Sequence, residues 1–469
     1  MKKYIFFVVG VMCTLLSHTA YAIDLNKSDA NIIGHVLEKK TGEHLPYMTV
    51  ALKGTTIGTM TDGTGHYFLK NLPEGEFILS VSAVGYKPQE RKVTLKRGKT
   101  LEENFELEED MVALDGVVVT ANRNETARRL APTLVKVVTP KLFDMTNSHT
   151  LSQGLVFQPG VRVENDCQNC GYSQVRINGM DGKYTQILID SRPIFSALAG
   201  VYGLEQIPAN MIERVEVVRG GGSALFGSSA IAGTVNIITK EPLRNSGSFA
   251  HSISNFDGSG SFDNNTTLNL SLVSSDNKMG AYIYGQNRHR SAWDSNGDSF
   301  SELPKLKNQT VGVNAYYRLS PYSKLNLEYH HMEEFRRGGN RFDLPPHIAE
   351  DANLNGSGAP GLVEQIEHSI NTGGLKFSAF SKDQKHAFNA YASAQHIVRD
   401  SYYSAYGHTT DFTGVLGAQY IYHFDKLFFM PSDLTGGVEF NHDNLDDKAT
   451  DMQKYRDAAL HPQDSKNQR

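Results

Sequence analysis

MIERVEVVRGGGSALFGSSAIAGTVNIITK, residues 211–240, decides the fold. Residues 213–219 alternate polar and apolar side chains, with Val215 and Val217 on one side, at the period of a half-buried strand. Gly220, Gly221 and Gly222 then break it. Only glycine takes positive φ cheaply and lets another backbone approach closely. Residues 223–232 are small and compact, and residues 234–239 form a second apolar strand. The stretch reads as strand, glycine turn, short segment, glycine turn, strand.

Three other readings of these glycines compete. A phosphate-cradling loop needs Lys and Ser or Thr after its glycines, whereas Ala224, Leu225 and Phe226 follow here. A nucleophile elbow needs glycine two residues either side of its serine; Ser223 has Gly221 before it but Leu225 after it. A glycine-rich hairpin of no special role is the third. The order of residues discriminates. Ile207-Pro208, Ile212 through Val217, Arg219-Gly220, Ser223-Ala224, Gly227, Ala230, Gly233 and Asn236 through Lys240 closely resemble the plug of TonB-dependent outer-membrane receptors. The resemblance implies a 22-stranded barrel whose pore this plug fills. Across residues 123–240 it implies a plug core drawn from Arg176, Asn178, Gly179, Asp190, Arg214, Glu216, Arg219, Gly220, Gly227, Gly233 and Asn236. Within that span, residues 173–179 and 184–190 are expected to pair around a turn at Asp181-Gly182.

At 469 residues the chain exceeds one ordinary domain. Its net charge of −5 gives no general case for nucleic-acid binding. Mean hydropathy of −0.37 argues against a helical membrane protein. It leaves a β-barrel open, because barrel strands show only every second residue to lipid. Residues 1–22 read as a signal peptide, with Lys2 and Lys3, an apolar run over 5–16, and the small-x-small site Ala20-Tyr21-Ala22. The run is too short for an anchoring helix. Cys13 invites a lipoprotein reading, but Met12 is large for the lipid-attachment site.

Residues 30–108 hold short strands separated by turn chemistry, which predicts a small sandwich. GTTIGTMTDGTGHYFLKNLPEGEFILSVSAVGYKP, residues 54–88, is similar to the carboxypeptidase regulatory-like domain. That resemblance implies a seven-stranded, prealbumin-like β-sandwich without catalytic residues, a periplasmic spacer or docking module. Asp62 and Gly63 suggest calcium or, better, a tight turn, since no EF-hand ligand set follows.

After the acidic exit at 102–110 comes LDGVVVTA, residues 114–121. It resembles the TonB box, although Gly116 stands where relatives often carry an acid. The resemblance assigns coupling to Leu114, Asp115, Val117, Val118, Val119 and Thr120, with a TonB-type periplasmic energy-coupling protein as partner. An extended, unpaired segment can add itself as a strand to a partner's sheet edge; the alternative is a linker strand with no partner.

Cys167 and Cys170 are the cysteines left after leader removal. A tight disulfide, a soft-metal or substrate contact, and a redox pair all remain open; a full zinc site needs more ligands than two. By resemblance their loop lies toward the outer face of the plug, where cargo binds.

From residue 241 onward longer alternating strands take over, such as 311–319 and 412–422. One apolar and one polar face with interfacial Tyr and Phe suit a lipid-exposed barrel with a polar lumen. A large soluble sandwich buries the same alternation. The short turn at 321–323 set against a long loop at 336–362 favours the barrel. In that loop Arg336, Arg337 and Arg341 can meet an anionic chelate or simply be solvated, and His330 and His331 at its base can serve a metal or haem or stand without function.

At about 20 residues per strand and turn, residues 241–469 hold nine to eleven strands rather than 22. Residues 451–469 are polar and lack a terminal aromatic strand. The chain is therefore expected to be the N-terminal portion of a longer receptor, unable to transport alone. The fold class expected is mainly β: a prealbumin-like sandwich, an α+β plug, and a partial antiparallel transmembrane β-barrel over 241–469. The expected place is the outer membrane, in contact with its lipid, with the N-terminal domain in the periplasm. The expected cargo is an iron-siderophore or haem, with cobalamin next and a glycan importer, adhesin or signalling receptor as rivals. No catalytic triad, carboxylate dyad, metal motif or cofactor site is read from the sequence.

Overall fold

The computed structural model describes residues 29–46, 48–83, 85–109, 117–118, 120, 126–127, 134–167, 172–193, 207–227, 229–350, 361–383, 385–428 and 430–450. The expected leader, Leu114, Asp115, Val119, Cys170 and the tail after residue 450 lie outside the described residues.

The first unit is a sandwich of two four-stranded sheets. Its strands are β1 (Ala30–Glu38), β2 (Thr49–Leu52), β3 (Gly58–Met60), β4 (His66–Leu72), β5 (Gly75–Ser82), β6 (Gln89–Leu95), β7 (Thr100–Glu102) and β8 (Phe105–Leu107). One sheet runs β3-β2-β5-β6; in the other β1 pairs β4, β7 and β8. Strand alternation buries Ile32, Val36, Val50, Leu79, Val81 and Phe105 between the sheets. Eight strands appear where seven are expected, because β7 and β8 pair successive parts of β1 in parallel. The break falls at Asn104, whose side-chain oxygen takes the His35 N–H at 3.0 Å in place of a ladder bond.

A two-strand ladder follows, β9 (Val117–Val118) with β10 (Thr126–Ala127). The plug then contains β11 (Val135–Val138), α1 (Pro140–Met145), α2 (Leu151–Leu155), β12 (Val161–Cys167), β13 (Tyr172–Ile177), β14 (Thr185–Ile189), β15 (Ile212–Arg219), α3 (Ser223–Phe226) and β16 (Gly233–Thr239). Its sheet order is β11-β15-β16-β14. The expected pairing of residues 173–179 with 184–190 is corrected. β13 pairs antiparallel with β12, while β14 lies parallel to β16. A 3-10 turn at Gly182–Tyr184 redirects the chain. β14 is buried at every position, so it gains more packed onto the four-stranded plug sheet than in a two-stranded hairpin.

The remaining strands form one nine-stranded antiparallel meander: β17 (Ser246–Asn255), β18 (Phe262–Val273), β19 (Met279–Arg290), β20 (Lys305–Ser320), β21 (Ser323–Gly339), β22 (Val363–Phe380), β23 (His386–Tyr403), β24 (Tyr406–Leu427) and β25 (Met430–Thr450). Phe249, Leu270, Leu272, Leu327, Leu375 and Leu416 project outward and exposed, whereas Tyr282, Tyr284, Gln286 and Arg288 are buried inward. A sheet with its apolar side chains outside and its polar ones inside is a lipid-facing barrel wall. No helix among the described residues is long and apolar enough to cross a membrane. One end of the wall has only brief connections, at 274–278, 321–322, 381–385 and 428–429; the other carries the connections 291–304 and 340–362. The sandwich rests on the first end. Thr56 donates its N–H to the Pro321 carbonyl at 2.8 Å, Arg318 Nε donates to the Thr56 carbonyl at 2.6 Å, and Tyr322 packs on the sandwich core.

Gly233 tests the close packing at the plug's centre. A Cβ there would lie 2.3 Å from the Val218 carbonyl oxygen and 2.9 Å from Ile177 Cδ1. Overpacking of this kind costs about 1–3 kcal/mol. Gly233→Ala is expected to expose the plug to limited proteolysis while leaving sandwich fragments protected; unchanged plug fragments would contradict the packing.

Candidate functional site

The site grows from β15. Glu216 alternates inward on this strand and is fully buried, with Asn236 of β16 opposite it in register. A buried carboxylate needs donors. Arg214, two residues away and so on the same strand face, donates Nε to it at 2.9 Å. Thr120 supplies two more: its backbone N–H reaches Glu216 Oε2 at 2.8 Å and its hydroxyl donates to the same atom at 2.6 Å. Asn236 Nδ2 in turn donates to Thr120 Oγ1 and to Ser191 Oγ, both at 3.0 Å. The end of the valine run is thereby clamped against the plug sheet.

The same network extends to the barrel. Ser191 donates its N–H to Asn236 Oδ1 at 2.9 Å. Asp190 accepts the Thr239 N–H at 3.0 Å and the Thr239 hydroxyl at 2.7 Å. Between them and the wall stands Arg192, almost wholly buried. Its guanidinium meets Glu328 on β21 at 2.5 Å, Asp190 at 3.7 Å and Ser393 Oγ on β23 at 2.9 Å. Gly374 on β22 opens the slot: a Cβ there would lie 2.5 Å from Arg192 Nη1 and 2.5 Å from Glu328 Oε1. Other polar side chains of the wall hold the plug too. Tyr282 donates to the Asn210 carbonyl at 2.9 Å, and Gln286 Nε2 to the His149 carbonyl at 3.3 Å.

The sequence-chosen residues divide accordingly. Val117 and Val118 are not an unpaired strand; they pair with Ala127 and Thr126, a correction caused by the local ladder that satisfies their backbone groups. Thr120, Asp190, Arg214, Glu216 and Asn236 come together. Arg176 is elsewhere, ion-paired with Glu164 and, at 3.4 Å, with Asp181. Asn178 and Gly179 form a left-handed turn, with φ of 55° and 77°. Gly220 and Gly227 also take positive φ, and Arg219 packs against Gly160. The backbone of Cys167 pairs with Tyr172 at the end of the β12–β13 hairpin.

The expected loop at 336–362 is also corrected. β21 continues through Gly339, so His330, His331, Arg336 and Arg337 belong to the wall. Arg336 is 1% exposed and donates to Glu334 at 2.7 Å, since a barrel's inner face buries charge that a loop would solvate. His331 Nδ1 lies 3.0 Å from Asn371 Oδ1. Only Arg341 is in the loop, held by the Ala349 carbonyl at 2.8 Å. Sequence reading missed Arg192, Glu328, Gly374 and Ser393. It also missed Asp294, Asp298 and Glu302 in the 291–304 connection, whose carboxylate oxygens lie within 4.8 Å of one another. Hard cations take such ligands, although exposed acids commonly cluster without one.

Comparisons with known proteins agree with this architecture. Residues 32–119 match the CarboxypepD_reg-like domain and residues 127–234 the TonB-dependent Receptor Plug Domain. The vitamin B12 transporter BtuB of Vibrio vulnificus is 32% identical over 229 residues, which cover 42% of this chain and 37% of that protein. The vitamin B12 transporter BtuB of Photobacterium profundum is 37% identical over 128 residues, 27% of this chain and 20% of that one. Among solved structures, the pyoverdine-bound FpvA of Pseudomonas aeruginosa aligns at TM-score 0.56 and 14% identity over 71% of this chain and 45% of its own. The siderophore receptor PirA of Acinetobacter baumannii aligns at 0.55 and 20% identity over 68% and 49%. The chain thus spans less than half the length of each of these proteins.

The clamp makes a direct prediction. Thr120→Val removes the hydroxyl and leaves part of a buried carboxylate unsatisfied, a loss of about 1–3 kcal/mol. Trypsin cleavage after Arg123 is expected to quicken relative to cleavage within the sandwich, and Glu216→Ala is expected to quicken it further. Equal rates in all three proteins would show that the clamp holds nothing.

Proposed function

This chain belongs to the TonB-dependent receptors, and from that premise we propose that it serves uptake of a scarce nutrient chelate across the outer membrane. Cargo binds at the end of the wall that carries the 291–304 and 340–362 connections. The sandwich lies on the periplasmic side. A TonB-type protein grips residues 114–121 and pulls on the plug. The observation that carries this reading is Thr120 clamped to Glu216 and Asn236: a β-prone segment stitched into a plug is a handle on it. We place an iron-siderophore first as cargo, with haem as the near alternative. The outer-facing position that the resemblance implies for Cys167 and Cys170, and Arg341 in the 340–362 connection, support an anionic iron complex. Cobalamin is the second reading, favoured by the vitamin B12 transporters among the relatives. Cargo, however, is selected largely by loops.

Two measurements test this. Equilibrium dialysis of the detergent-solubilised chain against ferric hydroxamate and catecholate siderophores, haemin and cyanocobalamin is expected to show saturable retention of a ferric siderophore. Retention of cyanocobalamin alone would overturn the cargo assignment and leave the family reading intact. Val118→Pro removes a backbone N–H and blocks strand addition. It is expected to lower capture by an immobilised TonB periplasmic domain at least tenfold, roughly the 1.4 kcal/mol that one lost main-chain bond supplies. Undiminished capture would remove residues 114–121 from the coupling role.

A further inference from the structure

The sandwich carries a histidine triad that the transport reading does not use. His35 on β1 and His66 on β4 are direct cross-strand partners. His44 is brought beside them by its bridge to Leu37 and by Gly65, whose absent Cβ would lie 2.8 Å from the Cβ of His44. Gly65 also takes φ of +76°, a backbone conformation that suits glycine. The three ring centres form a triangle with sides of 4.8, 5.2 and 5.8 Å.

That triangle has the size of a three-imidazole metal site. With Zn–N bonds of about 2.0–2.1 Å, each ring centre stands about 3.2 Å from the ion, and tetrahedral geometry sets the centres about 5.2 Å apart. The rings now pack against one another, and their nitrogens do not converge on one point. Binding requires the rings to turn about their Cβ–Cγ bonds. His44 and His66 are exposed and His35 half-buried, so the rings have room to turn.

His66 is already oriented for the task. The Thr64 hydroxyl donates to Asp62 at 2.7 Å, so its oxygen is left to accept from His66 Nδ1 at 3.1 Å. Asp62 also accepts the backbone N–H of Thr64 at 2.8 Å and of His66 at 3.0 Å. These donors hold its carboxyl below the usual carboxylate range, with the Thr64 hydroxyl the largest cause. A proton fixed on Nδ1 leaves the Nε2 lone pair free, and a carboxylate behind a histidine raises its basicity as a ligand.

We propose that His35, His44 and His66 form a binding site for a borderline divalent transition metal, zinc foremost, with the fourth position open to water. Imidazole ligands suit zinc, copper and nickel better than calcium or magnesium. The site belongs to the sandwich alone and does not depend on which cargo the barrel takes.

The test is zinc titration of the full chain in detergent against a chromophoric chelator, followed by cobalt(II) absorption as a readout of tetrahedral nitrogen ligation. The wild-type chain is expected to bind one more equivalent than the H35Q/H44Q/H66Q variant. His44→Ala, an exposed substitution, is expected to lower affinity by more than about 100-fold, and Thr64→Val by about 10-fold. The tetrahedral cobalt bands are expected to vanish in both histidine variants. Equal stoichiometry in wild type and triple variant, or cobalt bands that survive His44→Ala, would overturn the site and leave three packed rings.

Discussion

A buried carboxylate that must be satisfied organises this protein. Glu216 lies in one of the two inner strands of the plug sheet, out of reach of bulk water. Removing one partner from such a group costs several kcal/mol, because a charge is left in a medium that cannot solvate it. The chain supplies donors from its own strand, Arg214, and from a segment far away in sequence, Thr120. That choice ties the valine segment to the plug by a requirement of solvation rather than by shape alone. It also sets the condition for release: Thr120 leaves at low cost only when water enters in its place.

Asn236 turns this single contact into a path. Its amide holds Thr120 and Ser191 together, and Arg192 next in the chain crosses to Glu328 and Ser393 of the wall. The plug is therefore held by polar contacts on both sides, toward the segment at Thr120 and toward the barrel at Arg192, Asn210 and His149. Polar attachment would suit the plug movement proposed for this chain. An apolar face torn from its partner loses all its burial energy, whereas hydrogen bonds can be exchanged for bonds to water at a net cost of about 1 kcal/mol each.

Most of the architecture was legible because its causes are local. Period-two alternation marks the wall strands, and glycines mark the turns at Gly220 and Gly227. What escaped depends on residues distant in sequence. Arg192 reads as an ordinary turn residue until the barrel brings Glu328 to it. The β13–β14 hairpin was expected because turn residues separate two strand-like runs. The contrary signal was Ile187-Leu188-Ile189, apolar on both faces, which marks a strand buried on both sides. The run FRRGG looked like a loop because charge usually means solvent. Glu334 stands two residues before Arg336, on the same strand face, and was the sign of an internal pair. Two glycines of the wall carry a similar hidden logic: Gly312 and Gly417 lie opposite Tyr284 and Tyr391, whose rings occupy the space a Cβ would fill.

If residues 114–121 are pulled as proposed, the load reaches the sandwich as well as the plug. The segment follows β8 of the sandwich and precedes Thr120, so tension on it divides between those two anchors. On the sandwich side, Glu108 pairs with Lys39 at 2.6 Å and Lys87 at 3.1 Å, which holds its carboxyl down at about 2. All three side chains face solvent, so that contact is screened and yields early. The firmer hold is Phe105 and Leu107 of β8, fully buried against β1 while the sandwich itself sits on the Pro321 turn of the wall. Pulling β8 free exposes two large apolar side chains at about 1.5–3 kcal/mol each and breaks a parallel ladder as well. At the other end, Thr120 is released as soon as water reaches Glu216. Tension is thus expected to open the plug side first, with the sandwich still anchored to the barrel.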